Sequence, residues 1–230
     1  MLMQAFLIAA MGFRPRPRAE NVESTLIWYK NGDSTDIQHW VNELNQFITD
    51  YEKEKREEEE NGTPRDTRAC KFQDTWLKGY CNKAESWGYN RDSPCILLKL
   101  NKMIDWEPEV YKTMEELPED MPQSLKDTIS NATLTNNNKM PPMVWVSCEG
   151  ENPADKEYLP KVELSPNPGF PAYYFPYTKV PGYRSPLVGV MIYNPEPNVL
   201  INIECRLWAK NIVPDRGNRL GMVHFELLKD

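Results

Sequence analysis

Apolar and polar residues alternate with a period of two over much of the C-terminal half of this chain. Val199, Ile201, Ile203, Cys205 and Leu207 interleave with Asn202, Glu204 and Arg206, and Val223, Phe225 and Leu227 interleave with Met222, His224 and Glu226. Successive side chains of a strand point to opposite faces, so each apolar set lines one face of a sheet. Residues 143–148 and 187–193 are further apolar runs, and segments rich in Pro, Gly and Asn separate all of them. The stretch Ser93-Pro94-Cys95-Ile96-Leu97-Leu98-Lys99-Leu100-Asn101 reads as a buried strand that opens on a cysteine, with Pro94 at its edge where no ladder donor is needed. Polar outer faces predict antiparallel pairing, and strands of this kind predict a mainly β, antiparallel β-sandwich.

Upstream the period changes. Ile37, Trp40, Val41, Leu44, Phe47, Ile48 and Tyr51 recur at three- and four-residue steps, which predicts one amphipathic helix, with Thr35 and Gln38 in a capping-box pattern at its start. Its apolar face is expected to cover one side of the sheet. Residues 52–60 are a charged extension with nothing to bury, and Asn61-Gly62-Thr63-Pro64 stops it. Before the helix, residues 1–11 are mostly apolar but far short of the roughly 20 residues of a spanning helix, and they lack the basic start of a secretory signal. Arg14, Arg16 and Arg18 alternate with Pro15 and Pro17 as an extended linker, and residues 24–29 form a short apolar patch readable as a strand or a docking segment. The expected organisation is a leader and linker without a full transmembrane helix over residues 1–33, the helix and its extension over 34–60, and the sandwich over 61–230. Residues 34–230 then make one domain.

A chain of 230 residues is long enough to bury a real core. The five cysteines, Cys70, Cys81, Cys95, Cys148 and Cys205, show no C-x-x-C spacing and no paired histidines, which argues against zinc and for disulfides in an oxidising compartment. Residues 82–92, between Cys81 and Cys95, have the Asn, Gly, Ser and Asp content of a loop closed by a bridge. Two bridges among five cysteines still leave 15 arrangements open, five choices of the unpaired residue with three pairings each. Sequons at Asn61-Gly62-Thr63 and Asn131-Ala132-Thr133 fall in polar stretches and make Asn61 and Asn131 candidate glycan sites of an extracellular protein. A net charge of −7 without a basic aromatic face argues against nucleic-acid binding.

Catalytic parts are scarce. The two histidines, His39 and His224, fall on the polar sides of their elements, where solvent exposure is expected, and the common hydrolase and nucleotide-binding motifs are absent. Glu115-Glu116 and Glu119-Asp120 sit in a proline-bounded polar loop with no apolar wall to raise a carboxyl pKa. No metal, cofactor or catalytic residue is assigned. One stretch stands apart: Pro168-Gly169-Phe170-Pro171-Ala172-Tyr173-Tyr174-Phe175-Pro176-Tyr177 concentrates aromatics between prolines, a composition shared by cores and interfaces.

Two of these stretches resemble signatures of one family. Residues 93–102, with Pro94-Cys95 leading into Lys99-Leu100-Asn101-Lys102, and Gly169-Phe170-Pro171 through Tyr177 are similar to two motifs of the sodium/potassium-transporting ATPase beta subunits. Gly12-Phe13-Arg14-Pro15, residues 77–81, Val146-Ser147-Cys148, Ile203-Glu204-Cys205 and residues 217–225 add to the likeness, which runs from Gly12 to the C-terminus. The resemblance implies a non-catalytic glycoprotein subunit with an immunoglobulin-like, disulfide-stapled ectodomain carrying an inserted helix. Such a subunit binds and stabilises the catalytic alpha subunit of a P-type ATPase, supports its delivery to the plasma membrane and modulates its potassium affinity. It further implies bridges Cys81–Cys95 and Cys148–Cys205, an unpaired Cys70, an extracellular ectodomain joined to the membrane through the complex, and an alpha-subunit contact at Phe170, Tyr173, Tyr174, Phe175, Pro176 and Tyr177. The family's membrane anchor is expected to be missing or incomplete in this chain. A proton/potassium pump partner and a cell-surface adhesion module with homophilic contacts are the alternatives.

Overall fold

The computed structural model describes residues 10–17, 24–53, 72–179, 183–218 and 220–230. The expected sandwich is present as a four-stranded sheet of order β1-β3-β7-β5 and a five-stranded sheet of order β2-β9-β8-β4-β6. The strands are β1 (Met11–Arg14), β2 (Leu26–Tyr29), β3 (Cys95–Leu100), β4 (Met143–Gly150), β5 (Lys161–Ser165), β6 (Gly169–Pro171), β7 (Leu187–Tyr193), β8 (Leu200–Trp208) and β9 (Met222–Lys229). Pairing is antiparallel except between β2 and β9, which run parallel from Leu26↔Glu226 to Tyr29↔Lys229.

The register turns the alternating residues into a core. Ile201, Ile203, Cys205 and Leu207 of β8 lie beside Leu227, Phe225 and Val223 of β9 and beside Cys148 and Val146 of β4 on one face. Facing them from the smaller sheet are Phe13, Leu98 and Val188, neighbours across β1, β3 and β7, and the Phe13 and Phe225 rings meet at 5.2 Å between centroids. Every other residue of β8 from Asn202 to Arg206 is only half-buried, as the pleat requires. β3 and β7 are buried on both faces because other segments cover the outer face of the smaller sheet.

Helix α1 (Ser34–Lys53) is one such cover, burying Ile37, Trp40, Val41, Leu44, Ile48 and Tyr51. Tyr51 donates its hydroxyl to the Ser185 carbonyl at 2.7 Å, and Trp40 donates its indole N–H to the Trp28 carbonyl at 2.8 Å. The helix start differs from expectation. Asp33, two residues earlier than the Thr35 pattern, accepts the backbone N–H groups of Thr35 at 2.8 Å and Asp36 at 3.3 Å and satisfies these first-turn donors. Residues 54–60 of the charged extension, with Asn61 and Cys70, lie outside the described residues.

Three further expectations are corrected. Residues 1–33 are not all leader and linker: β1 pairs with β3 and β2 pairs with β9, so both sheets gain an edge strand from this stretch. The physical reason is the apolar alternation of Met11 and Phe13, which extends the pleat despite the Pro-Arg run that follows. A second helix, α2 (Gln123–Thr135), follows the polar loop, and Asn131 sits on it rather than in a turn. Its stripe of Leu125, Ile129 and Ala132 packs with Tyr111, Met121, Met143, Trp145 and Trp208 over the outer face of the larger sheet. The third is His224, described below. A short helix α3 (Pro153–Glu157) follows β4.

The loop between Cys81 and Cys95 contains a left-handed turn at Ser86, Trp87 and Gly88, whose φ angles are 50°, 53° and 75°. A Cβ on Gly88 meets the Ser93 carbonyl oxygen at 2.0 Å, a backbone atom that cannot step aside. Gly88→Ala is therefore expected to destabilise the fold by more than about 2 kcal/mol in denaturant unfolding, whereas Gly12→Ala, with nothing within 4 Å of its Cβ, stays within about 0.5 kcal/mol of the parent.

Candidate functional site

The chemistry of this chain is concentrated in its cysteines, its aromatic run and a belt of charges on the outer face of the larger sheet. Cys81 is bonded to Cys95 with Cα atoms 5.3 Å apart, closing the loop that carries the left-handed turn onto the first residue of β3. Cys148 is bonded to Cys205, its direct partner in the β4–β8 register, with Cα atoms 4.0 Å apart. All four are buried. In the loop-entropy picture the closures stabilise the fold by about 3 and about 4 kcal/mol.

Fold and sequence part ways over the aromatic run. β6 pairs with the start of β4, Val144↔Phe170 and Met143↔Pro171, which drives the Phe170 ring fully into the core. A single 3-10 turn then spans Ala172–Tyr174, so successive side chains point in different directions. Tyr174 and Phe175 turn inward, Phe175 against Trp106 at 5.4 Å between centroids, and Pro176 is buried beside them. Phe170, Tyr174, Phe175 and Pro176 thus belong to the fold's own interior and are not available as a contact surface. Tyr173 is the exception at 58% exposed, its ring stacked on Tyr174 at 4.8 Å. Tyr177 is half-buried, forms a bridge to Ile104 and receives the Lys102 ammonium 5.5 Å over its ring. Ile104, itself 43% exposed, was not singled out by sequence reasoning, and an Ile set between Met103 and Trp106, which are both buried, gives no signal that it alone faces outward.

Asn131 is exposed on α2, and the sequon threonine, Thr133, donates its hydroxyl to the Ile129 carbonyl at 2.8 Å. The acidic loop is taken up in ion pairs: Glu116 meets Lys210 at 2.7 Å and Asp120 meets Arg206 at 3.0 Å. The Lys210 ammonium and the Lys112 N–H hold the Glu116 carboxyl below its ordinary range, the setting of a fixed anion and not of a proton donor. His224 is on the polar face, as its phase predicted, but it is not simply exposed. Its Nδ1 lies 2.9 Å from Glu151, just past the end of β4, and its Nε2 3.0 Å from Glu226, which the pleat of β9 places two residues on along the same face. His39 is half-buried against the Trp40 ring at 4.9 Å.

Asp155 was missed. It is buried at the start of α3, where its carboxylate accepts the Asn152 backbone N–H at 3.1 Å and the Asn202 backbone N–H at 3.0 Å, with both Asn amide groups adding further donors. Burial raises its pKa, but these donors outweigh that and hold the carboxyl below its ordinary value. The signal was present in Asn152-Pro153-Ala154-Asp155: a cap residue, proline at the first helical position and an acid three residues on.

The arrangement is a disulfide-stapled β-sandwich with an inserted amphipathic helix and an outward-turned tyrosine at one end of the larger sheet. Residues 8–225 match the family model described as the sodium/potassium ATPase beta chain, and the chain belongs to that family. It is 42% identical to the sodium/potassium-transporting ATPase subunit beta-2 of Drosophila melanogaster, covering 96% of this chain and 70% of that protein. It is also 37% identical to subunit beta-1 of the same fly over 96% of this chain and 70% of the relative, and 29% identical to human subunit beta-2 over 96% and 72%. Among the described residues no helix is long and apolar enough to cross a membrane.

Asp155→Ala is expected to lower the unfolding free energy at neutral pH by about 2 kcal/mol, since it strands buried N–H donors. The native carboxyl titrates below the unfolded value of about 3.9, so its stabilisation is complete above that pH and is lost as pH falls through the native value. The gap between parent and variant in urea unfolding therefore narrows below about pH 4.

Proposed function

We propose that this chain serves as the non-catalytic beta subunit of a sodium/potassium-transporting P-type ATPase, binding and stabilising the catalytic alpha subunit. On this reading it supports maturation of the pump, accompanies it to the plasma membrane with the sandwich on the extracellular side, and tunes its potassium affinity. The observation that carries the reading is family membership over nearly the whole chain. Buried disulfides fit an oxidising compartment, and the exposed Asn131 sequon fits a glycan facing water. Asn61 is the second glycan candidate, and Cys70 is taken as unpaired.

The alpha-subunit contact is assigned to the tyrosines that reach the surface, Tyr173 and Tyr177, and not to the whole aromatic run. Tyr173 is held rigidly by its stack on buried Tyr174, so docking costs little side-chain entropy. Aromatic anchors of this type often dominate an interface.

Co-expression with an alpha subunit followed by co-immunoprecipitation tests the assignment. The parent chain is expected to capture alpha, and Tyr173→Ala with Tyr177→Ala to reduce capture about tenfold or more. Tyr158→Ala is the control, because Tyr158 is also exposed but follows the far end of β4 from the Met143↔Pro171 pair. Equal capture by parent and double variant would remove the tyrosines from the interface; no capture by the parent would remove the subunit role itself.

A further inference from the structure

Four polar groups meet inside the molecule where β2, β9 and the bridged loop converge. Tyr29 ends β2 and is the register partner of Lys229, which ends β9 on the same inward row as Phe225 and Leu227. Tyr89 comes from the loop closed by Cys81–Cys95, and its ring lies edge-on to Tyr29 with centroids 5.2 Å apart. Asp92 follows in the same loop in a left-handed conformation with φ 50°. Tyr29 and Tyr89 are fully buried and Lys229 is only 7% exposed. Asp92 is partly exposed, with Oδ1 turned inward.

None of the three buried oxygens, the hydroxyls of Tyr29 and Tyr89 and Oδ1 of Asp92, has a hydrogen-bond partner among the described residues, although Asp92 Oδ1 is ion-paired with Lys229. The Lys229 ammonium stands 3.6 Å from Asp92 Oδ1, too far for a hydrogen bond. Buried polar atoms are nearly always paired, so several orphans in one place point to a shared partner that is not a side chain. Burial, reinforced for Tyr29 by Asp92 and for Tyr89 by Tyr29, pushes both phenols above their ordinary pKa, so both remain neutral hydroxyls.

The occupant follows from charge. An anion meets the Asp92 carboxylate and a cation meets the Lys229 ammonium. A neutral molecule that both donates and accepts suits all four: it can accept from Lys229 and a phenol and donate to Asp92 and the other phenol. We propose that Tyr29, Tyr89, Asp92 and Lys229 form an internal hydration site whose ordered water ties the last strand and β2 to the disulfide-bridged loop. The site lies within the sandwich and is independent of the alpha-subunit contact. It gives the C-terminal strand a polar anchor at the point where its apolar row ends.

Tyr29→Phe and Tyr89→Phe test it in the intact, disulfide-bonded chain. If a water serves both hydroxyls, each variant raises the urea-unfolding constant about five- to tenfold, and the double variant raises it by less than the product of the two. Removing an orphaned hydroxyl has the opposite sign, so Phe variants as stable as the parent or more so overturn the proposal. A crystal structure of the parent decides the matter even where a variant does not fold. A solvent peak within hydrogen-bond reach of Tyr29 Oη, Tyr89 Oη and Asp92 Oδ1 is expected. A dry site, a direct Tyr29–Asp92 hydrogen bond, or an anomalous bromide peak there after a bromide soak would each refute it.

Discussion

The dry contact between the inward rows of the two sheets is the constraint on which the rest of this molecule depends. Phe13, Leu98 and Val188 on one side and Ile203, Cys205, Val223 and Phe225 on the other exclude water, and burial of this kind is the main favourable term in folding. One disulfide lies within that contact and the other at its margin. Cys148–Cys205 locks two neighbouring strands within the larger sheet, and Cys81–Cys95 pins a covering loop to the smaller one. Neither is needed to create a core; each restricts the unfolded chain and fixes where an element attaches.

Each sheet must also cover its second face. α1 does so for the smaller sheet with a broad apolar stripe, together with the loop that buries Trp87, whose indole donates to Asn45 on that helix at 2.9 Å. α2 covers only part of the larger sheet, around Trp145 and Trp208. The remainder of that face is charged, with His224, Glu151, Glu204 and Arg216 in mutual contact. A sheet half covered and half charged needs no further layer, which explains how α2 manages with so narrow a stripe.

The aromatic run shows how one fold sends adjacent residues to its core and to its surface. Pairing of β6 with β4 draws Phe170 inward, and the tight turn after it sends Tyr174 back into the core while Tyr173 emerges. An exposed ring backed by a buried one is held in place without a dedicated support, a favourable setting for an anchor residue.

Much of this was legible in the chain itself. The period-two rows of β8 and β9, the three- and four-residue steps of α1 and the two motif stretches are local patterns, and the pleat and helix geometry translate them directly into faces. α2 was not legible because Leu125, Ile129 and Ala132 are too few in a polar background, and the β1 edge strand was hidden by the Pro-Arg run beside it. Amino-acid order alone determined which residues are apolar, where the elements turn and that a sandwich results. Only tertiary structure decided that Cys148 and Cys205 are direct partners in the β4–β8 register, which of six aromatic-run residues reach solvent, that Asp155 meets Asn202, and that two tyrosines, an aspartate and a lysine from three separate segments meet in the interior. Those outcomes depend on register and on contacts between residues far apart in sequence, which no local pattern encodes.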